Sequence, residues 1–157
     1  MTNLIRLENI LNEEAARLRD FLIVLQHEQE ALLSGSVDRL LSLAEEKNTI
    51  FTRLAEFGEA RNQILKANAL SADRTGVETW LAQYDPQATA HETWKTLLSM
   101  TVEAQELNRV NGTLINTRLA NNQQALSTLL AAANQAALYG PDGQARPVGS
   151  GRSLGSF

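Results

Sequence analysis

The amino-terminal part of the chain carries a leucine at every seventh position. These residues are Leu4, Leu11, Leu18, Leu25 and Leu32. Leucines at this spacing stay on one side of an α-helix when that helix wraps slightly around a partner helix. The repeat therefore predicts a long amphipathic helix over about residues 3–33 that packs against at least one other helix.

A second repeat of the same kind follows a short break at residues 34–36. Its apolar residues are Leu43, Ile50, Phe57 and Ile64, reinforced by Leu40, Phe51, Leu54 and Leu65. Gly35 can adopt the left-handed conformation that ends helices, and the hydroxyl of Ser36 can accept from the first amides of the next helix. Because the connection is so short, we expect the helix over about residues 37–69 to fold back antiparallel on the first.

Two further segments complete the predicted fold. A short helix over about residues 74–83 would bury Trp80 and Leu81. A long last helix over about residues 87–138 keeps a helical period of apolar residues. The fold class is therefore all-α: an antiparallel, coiled-coil-like bundle of three long helices with a short helical insert before the last helix and a flexible C-terminal tail.

The tail is predicted from composition. Residues 139–157 hold five of the nine glycines and two of the three prolines. Such a segment buries too little apolar surface to offset its conformational entropy, so we expect it to be flexible. The predicted domains are a helical bundle over residues 1–138 and a tail over residues 139–157.

The charges argue against a nucleic-acid partner. Lysine and arginine number 14 against 18 aspartate and glutamate, and the basic residues are scattered singly rather than gathered on one face. Lys47 and Arg61 lie at the edge of the second stripe, where their aliphatic stems can pack while their charges reach water. The chain has no cysteine, and therefore no disulfide or thiol chemistry.

No pattern in the chain indicates catalysis. His27 and His91, the two histidines, lack the paired Glu-x-x-His spacing of di-iron bundles, and no phosphate-binding loop occurs. We therefore expect no enzyme activity, no cofactor and no metal site. The amino terminus lacks the features of a signal peptide, and no apolar run could span a bilayer, which favours a cytoplasmic protein without membrane insertion.

Binding to another protein is the function that the pattern favours. The apolar face of the last helix is interrupted by Asn108, Asn111, Gly112, Asn121 and Asn122. Its second half is otherwise aliphatic, which makes it the candidate surface for a helical partner or for a second copy of the chain. The residues chosen for this surface are Leu119, Leu126, Leu129 and Leu130. Tyr139 is a further candidate, either as a docking anchor or as a helix stop.

Two segments resemble the FlgN family of flagellar export chaperones. Residues 107–115 are similar to the family's Leu-Asn…Asn-Gly…Ile stretch, and residues 139–143 are similar to its Tyr-Gly-x-x-Gly element. The matching residues are Leu107, Asn108, Asn111, Gly112, Ile115, Tyr139, Gly140 and Gly143. The order of segments along the whole chain is also similar to that of the family.

The resemblance implies a function. A FlgN-type chaperone binds the C-terminal regions of the hook–filament junction proteins FlgK and FlgL in the cytosol. It shields those regions and delivers them to the flagellar type III export gate. A coiled-coil adaptor or homodimer, and a chaperone of a different secretion system, are the alternatives that the residues leave open.

Overall fold

The computed structural model describes residues 2–138, which form four helices. These are α1 (Thr2–Ser34), α2 (Val37–Ala67), α3 (Arg74–Tyr84) and α4 (Thr89–Leu138). The described residues contain no strand, so the predicted all-α class, with three long helices and a short insert, is confirmed. Residues 139–157, and with them Tyr139, Gly140 and Gly143, lie outside the described residues.

The chain divides into two units, with the division between Leu114 and Ile115, inside α4. The first unit contains α1, α2, α3 and the beginning of α4, and among the residues whose burial is described it holds the whole buried core. In the second unit the structure describes helix up to Leu138. The predicted boundary between bundle and tail at residue 138 stays a prediction.

The turn between α1 and α2 forms as expected at Gly35. Its φ of 75° is left-handed, and the amide of Ser36 donates to the carbonyl of Ala31 over 3.1 Å, which closes the end of α1. One detail of the prediction is wrong. The Ser36 hydroxyl makes no capping hydrogen bond to α2 and instead lies 3.3 Å from the Ser34 hydroxyl.

Contacts between side chains fix the directions of the helices in the first unit. Glu14 and Glu28 on α1 pair with Arg61 and Lys47 on α2, respectively, so residue numbers rise on one helix as they fall on the other. These two helices are therefore antiparallel, as predicted. The Thr93 hydroxyl of α4 donates to Asn12 over 3.2 Å, and Asn111 of α4 donates to Leu25, so this part of α4 runs parallel to α1.

The heptad leucines of α1 form the centre of the core. Leu11, Leu18, Leu25 and Leu32 are all buried, which confirms the first predicted stripe. The stripe of α2 is buried only near its ends, at Leu43 and at Ile64 with Leu65. Between them Ile50 and Phe57 are half-buried, and Phe51 is 64% exposed, so the prediction that Phe51 reinforces the core is wrong.

The short helix α3 packs its apolar side into the same core. Trp80, Leu81 and Val77 are buried, as predicted for the first two. The Asp73 carboxylate accepts from the amide of Gly76 over 2.9 Å and caps the helix. Hydrogen bonds from the Ser71 hydroxyl and from that amide lower the pKa of Asp73 below its ordinary value.

Candidate partner-binding surface

Residues 115–132 of α4 form a helical segment in which every side chain is exposed. The apolar side chains among them are Ile115, Leu119, Leu126, Leu129 and Leu130, with exposed fractions of 44%, 55%, 57%, 67% and 38%. Single exposed leucines are normal on protein surfaces, but a contiguous set on one helix marks an interaction site. The second unit therefore presents an exposed set of apolar side chains, which is a candidate surface for a partner.

The spacing of these residues places them on one face of the helix. Ile115, Leu119, Leu126 and Leu129 follow one another at intervals of four, seven and three residues. Asn122 occupies the position midway between Leu119 and Leu126 in this series. At 3.6 residues per turn, such positions form one continuous stripe. We call this stripe, from Ile115 to Leu130 with Asn122 included, the α4 stripe.

The polar residues around the α4 stripe are almost all uncharged. Arg118 is the single charged residue between residues 115 and 132, and the others are amides, hydroxyls and alanines. Such a surface has no carboxylate or imidazole for acid–base chemistry or for holding a metal. What it can do is bury apolar area and exchange hydrogen bonds with a second helix.

Asn111, within the motif of residues 107–115, has a structural role in the first unit. The Asn111 side chain is fully buried, and its amide donates to the Leu25 carbonyl over 2.9 Å and to the Glu28 carboxylate over 3.0 Å. Lys47 donates to the same carboxylate over 3.3 Å and to the side-chain amide oxygen Oδ1 of Asn108 over 2.7 Å. One polar layer thus joins α1, α2 and α4.

A second contact also pairs a cation of α2 with a buried glutamate of α1. The Arg61 guanidinium pairs with the buried Glu14 carboxylate and lies 5.4 Å from the ring centre of Trp94. The expectation that the charges of Lys47 and Arg61 extend into water is therefore wrong. Both charges instead meet buried carboxylates of α1, because the antiparallel register brings each cation opposite a glutamate.

The remaining motif residues lie between the core and the surface. Leu107 is partly buried and packs against the main core, whereas the neighbouring Glu106 and Arg109 are exposed and pair with each other over 2.6 Å. The hydrogen bonds and charge of Arg109 hold the pKa of Glu106 below its ordinary value. A Cβ added at Gly112 would meet no atom within 4 Å, so no close packing requires a glycine there.

The sites predicted from sequence thus separate into three groups. Leu119, Leu126, Leu129 and Leu130 share the α4 stripe with Ile115, and their role in binding stays a prediction. Leu107, Asn108 and Asn111 contact the helices of the first unit. Tyr139, Gly140 and Gly143 lie outside the described residues.

The buried role of Asn111 was missed, although a signal for it existed. Ala90, Leu97, Ala104 and Asn111 are all buried and recur every seven residues, so Asn111 continues the packed side of α4. A polar residue at such a position is expected to find hydrogen-bond partners on a neighbouring helix. The sequence alone indicates Asn111 as an interruption of the apolar face and as a residue of the family motif, but not as a buried one.

An open cleft also runs between α1 and α2. Its volume is about 550 Å³, and its lining includes Arg17, Ile50, Arg53 and Glu56. Two of these charges are paired locally, because Arg53 and Glu56 lie 2.8 Å apart. The cleft is thus edged by charged groups, in contrast to the α4 stripe.

No helix in the described part of the chain is both long and apolar enough to cross a membrane. No solved structure matches the chain.

Known sequences, in contrast, match over nearly the whole chain. A family profile described as FlgN protein matches residues 1–147. The flagella synthesis protein FlgN of Proteus mirabilis is 30% identical over 94% of this chain and 96% of its own length. The proteins of the same name from Salmonella typhimurium and Escherichia coli are 28% and 25% identical, each over 88% of this chain and 89% of its own length. The chain belongs to the FlgN family of flagella synthesis proteins.

Proposed function

We propose that this chain is a flagellar export chaperone that acts in the cytoplasm. It binds and shields the C-terminal helical regions of the hook-associated proteins FlgK and FlgL and delivers them to the flagellar type III export apparatus. The observation that carries this proposal is the exposure of the whole α4 stripe in a chain of the FlgN family.

The free energy of covering the stripe supports a helical partner. Burying one leucine or isoleucine side chain contributes about 1.5–3 kcal/mol relative to leaving it in water. The α4 stripe holds several such side chains on one helical face, so a second amphipathic helix lying along it removes all of them from water together. A partner that offers its own apolar stripe gains in the same way.

The single-helix character of the surface suits a carrier that must release its cargo. An exported segment that orders only on binding loses conformational entropy at that step, which lowers the affinity for a given buried area. A stripe on one helix also makes fewer contacts than a closed pocket. Both effects favour a complex that holds its cargo in the cytoplasm and gives it up at the export apparatus.

The proposal is tested by placing charge on the stripe. In Leu126→Asp/Leu130→Asp, two apolar contacts are lost and two carboxylates would have to be desolvated, so binding of the FlgK and FlgL segments should weaken more than about 100-fold. Calorimetry with the full-length chain and each C-terminal segment measures this, and circular dichroism checks that the variant remains helical.

A matched control uses two exposed leucines of the first unit. Leu33→Asp/Leu41→Asp makes the same chemical change at positions that are 68% and 66% exposed, and it should leave the affinity unchanged. Equal loss in both variants, or none in the stripe variant, would contradict the proposal. An obligate dimer that the stripe variant converts to monomer, without any effect on cargo, would instead identify a homodimeric adaptor.

A further inference from the structure

Asn122 lies midway along the length of the α4 stripe and toward one side of it, since Leu130 is about 80° away around the helix. At about 100° per residue, Ile115, Leu119, Leu126 and Leu129 all fall within about 60° of it around the helix. The adjacent Asn121 is turned about 100° away, onto the flank of the stripe. The two asparagines have the same chemistry and are both exposed, but only Asn122 would be covered by a helix lying along the stripe.

Covering Asn122 has a consequence for the partner. Its amide carries two donors and an acceptor, which water satisfies in the free chain. A partner with only apolar side chains would remove that water and leave the amide unpaired, at a cost of about tenfold or more in affinity. A partner with an amide or hydroxyl at the matching position would form hydrogen bonds at no such cost.

The same helix already shows how it uses an amide among apolar residues. Asn111 is fully buried, and it donates to the Leu25 carbonyl and to Glu28 on the neighbouring helix. Those bonds form only at one position of α4 along α1, so they specify the register of the two helices. In coiled coils, a single buried asparagine in an apolar seam has this effect.

We propose that Asn122 is a specificity-determining residue that fixes the register of the bound partner. The partner is an amphipathic helix whose apolar stripe contains one amide or hydroxyl side chain, which hydrogen-bonds to Asn122 between the contacts made by Leu119 and Leu126. This inference rests on the proposed function in one respect: the α4 stripe must be the surface that binds FlgK and FlgL.

A simpler account of Asn122 predicts the opposite change in cargo affinity for Asn122→Leu. If the asparagine merely interrupts the stripe, replacing it with leucine adds apolar area and tightens binding. If it pairs with a polar group of the cargo, the same replacement leaves that group unpaired and weakens binding. The direction of the change therefore distinguishes the two accounts.

The experiment compares Asn122→Leu and Asn122→Ala with Asn121→Leu in the full-length chain. Calorimetric titration with the C-terminal segments of FlgK and FlgL should give binding about tenfold weaker for both Asn122 variants with at least one cargo. The Asn121 variant should stay within about twofold of the unchanged chain, because its side chain lies on the flank. The alanine variant shows whether the bulk of leucine, rather than loss of the amide, causes the effect.

Equal or tighter binding by Asn122→Leu overturns the inference, and so does a loss in Asn122→Leu that Asn122→Ala does not share. Both results would leave the proposed function standing, since the unchanged chain still binds its cargo. If the unchanged chain binds neither segment, the proposed function itself fails and the role of Asn122 fails with it.

Discussion

Residues 5–114 and residues 115–132 use similar apolar spacing to opposite effect. In the first region, leucines such as Leu11 and Leu25 repeat every seven residues and are buried. In the second, Leu119 and Leu126 have the same spacing and are more than half exposed. A heptad pattern therefore identifies the apolar side of a helix, but it does not say whether the chain itself buries that side.

The two regions also differ in the charge and burial of their polar side chains. The first region places Glu14 and Glu28 inside, each opposite a cation on α2. Such pairs can be satisfied only in one register, so they specify the internal arrangement of the helices. The second region has one charge, Arg118, and its stripe is interrupted by an uncharged amide instead.

The largest expected contrast comes from one substitution made in both regions. Leu25→Ala removes a fully buried side chain and should lower the free energy of unfolding by about 2–5 kcal/mol. Leu126→Ala, at a position that is 57% exposed, should change it by less than about 0.5 kcal/mol. Chemical denaturation followed by circular dichroism measures both.

In a binding assay the order of the two variants should be reversed: Leu126→Ala should have the larger effect on cargo affinity. Leu126→Ala should weaken cargo binding, because it removes part of the α4 stripe, whereas a still-folded Leu25→Ala chain should retain it. A large loss of stability from Leu126→Ala would mean that its side chain packs within the free chain, and the contrast between the regions would disappear.

A smaller difference in the free energy of unfolding is expected when two asparagines of α4 are each replaced with alanine. Asn111→Ala deprives the Leu25 carbonyl and Glu28 of a donor inside the core and should lower the free energy of unfolding by about 1–3 kcal/mol. Asn121→Ala should be neutral or slightly stabilising, since alanine is the better helix former and the side chain is exposed. Thermal or denaturant unfolding of the two variants side by side tests this. Equal effects would show that the polar layer around Asn111 does not stabilise the bundle.

Replacing a glycine of the long helices with alanine should raise the free energy of unfolding, by a smaller amount than the losses above. Gly112→Ala introduces a Cβ that meets no atom within 4 Å, so it should raise the free energy of unfolding by up to about 1 kcal/mol through helix propensity. Gly58→Ala on α2 is a control with equally open space. If Gly58→Ala stabilises the chain and Gly112→Ala does not, helix propensity does not describe α4 at Gly112, and the glycine there has a further role.

Much of the first region could be predicted because its signals are local. The heptad leucines of α1, the left-handed Gly35 and the buried Trp80 each follow from residue type and spacing. Where the local conformation is unusual, the observed end of a helix differs from the predicted one by two residues. Ala69 adopts a left-handed φ of 57°, where glycine is usual, and α2 ends at Ala67 rather than near Ala69. Ala88 has the same φ just before α4 begins at Thr89.

Pairings across helices could not be predicted in the same way. Whether Lys47 meets water or Glu28 depends on the register of α1 against α2, and a one-turn shift would separate them. The exposure of Phe51 likewise depends on how closely the middle of α2 approaches its neighbours. The aliphatic pattern of residues 115–132 could be recognised in the sequence. Its exposure could not be predicted, because the periodicity is the same for a buried and an exposed stripe.

The smallest expected effect is the response of cargo binding to salt, and it tests which region binds. Salt weakens interactions between exposed charges but leaves apolar contacts in place. The α4 stripe is nearly free of charge, whereas the cleft between α1 and α2 is lined by Arg17, Arg53 and Glu56. Binding to the stripe should therefore change less than about twofold when sodium chloride rises from about 0.05 M to about 0.5 M, a range over which the screening length falls about threefold. Calorimetric titrations at several salt concentrations measure this. A steep loss of affinity would move the binding site to the charged first region and would leave the exposed stripe without its proposed partner.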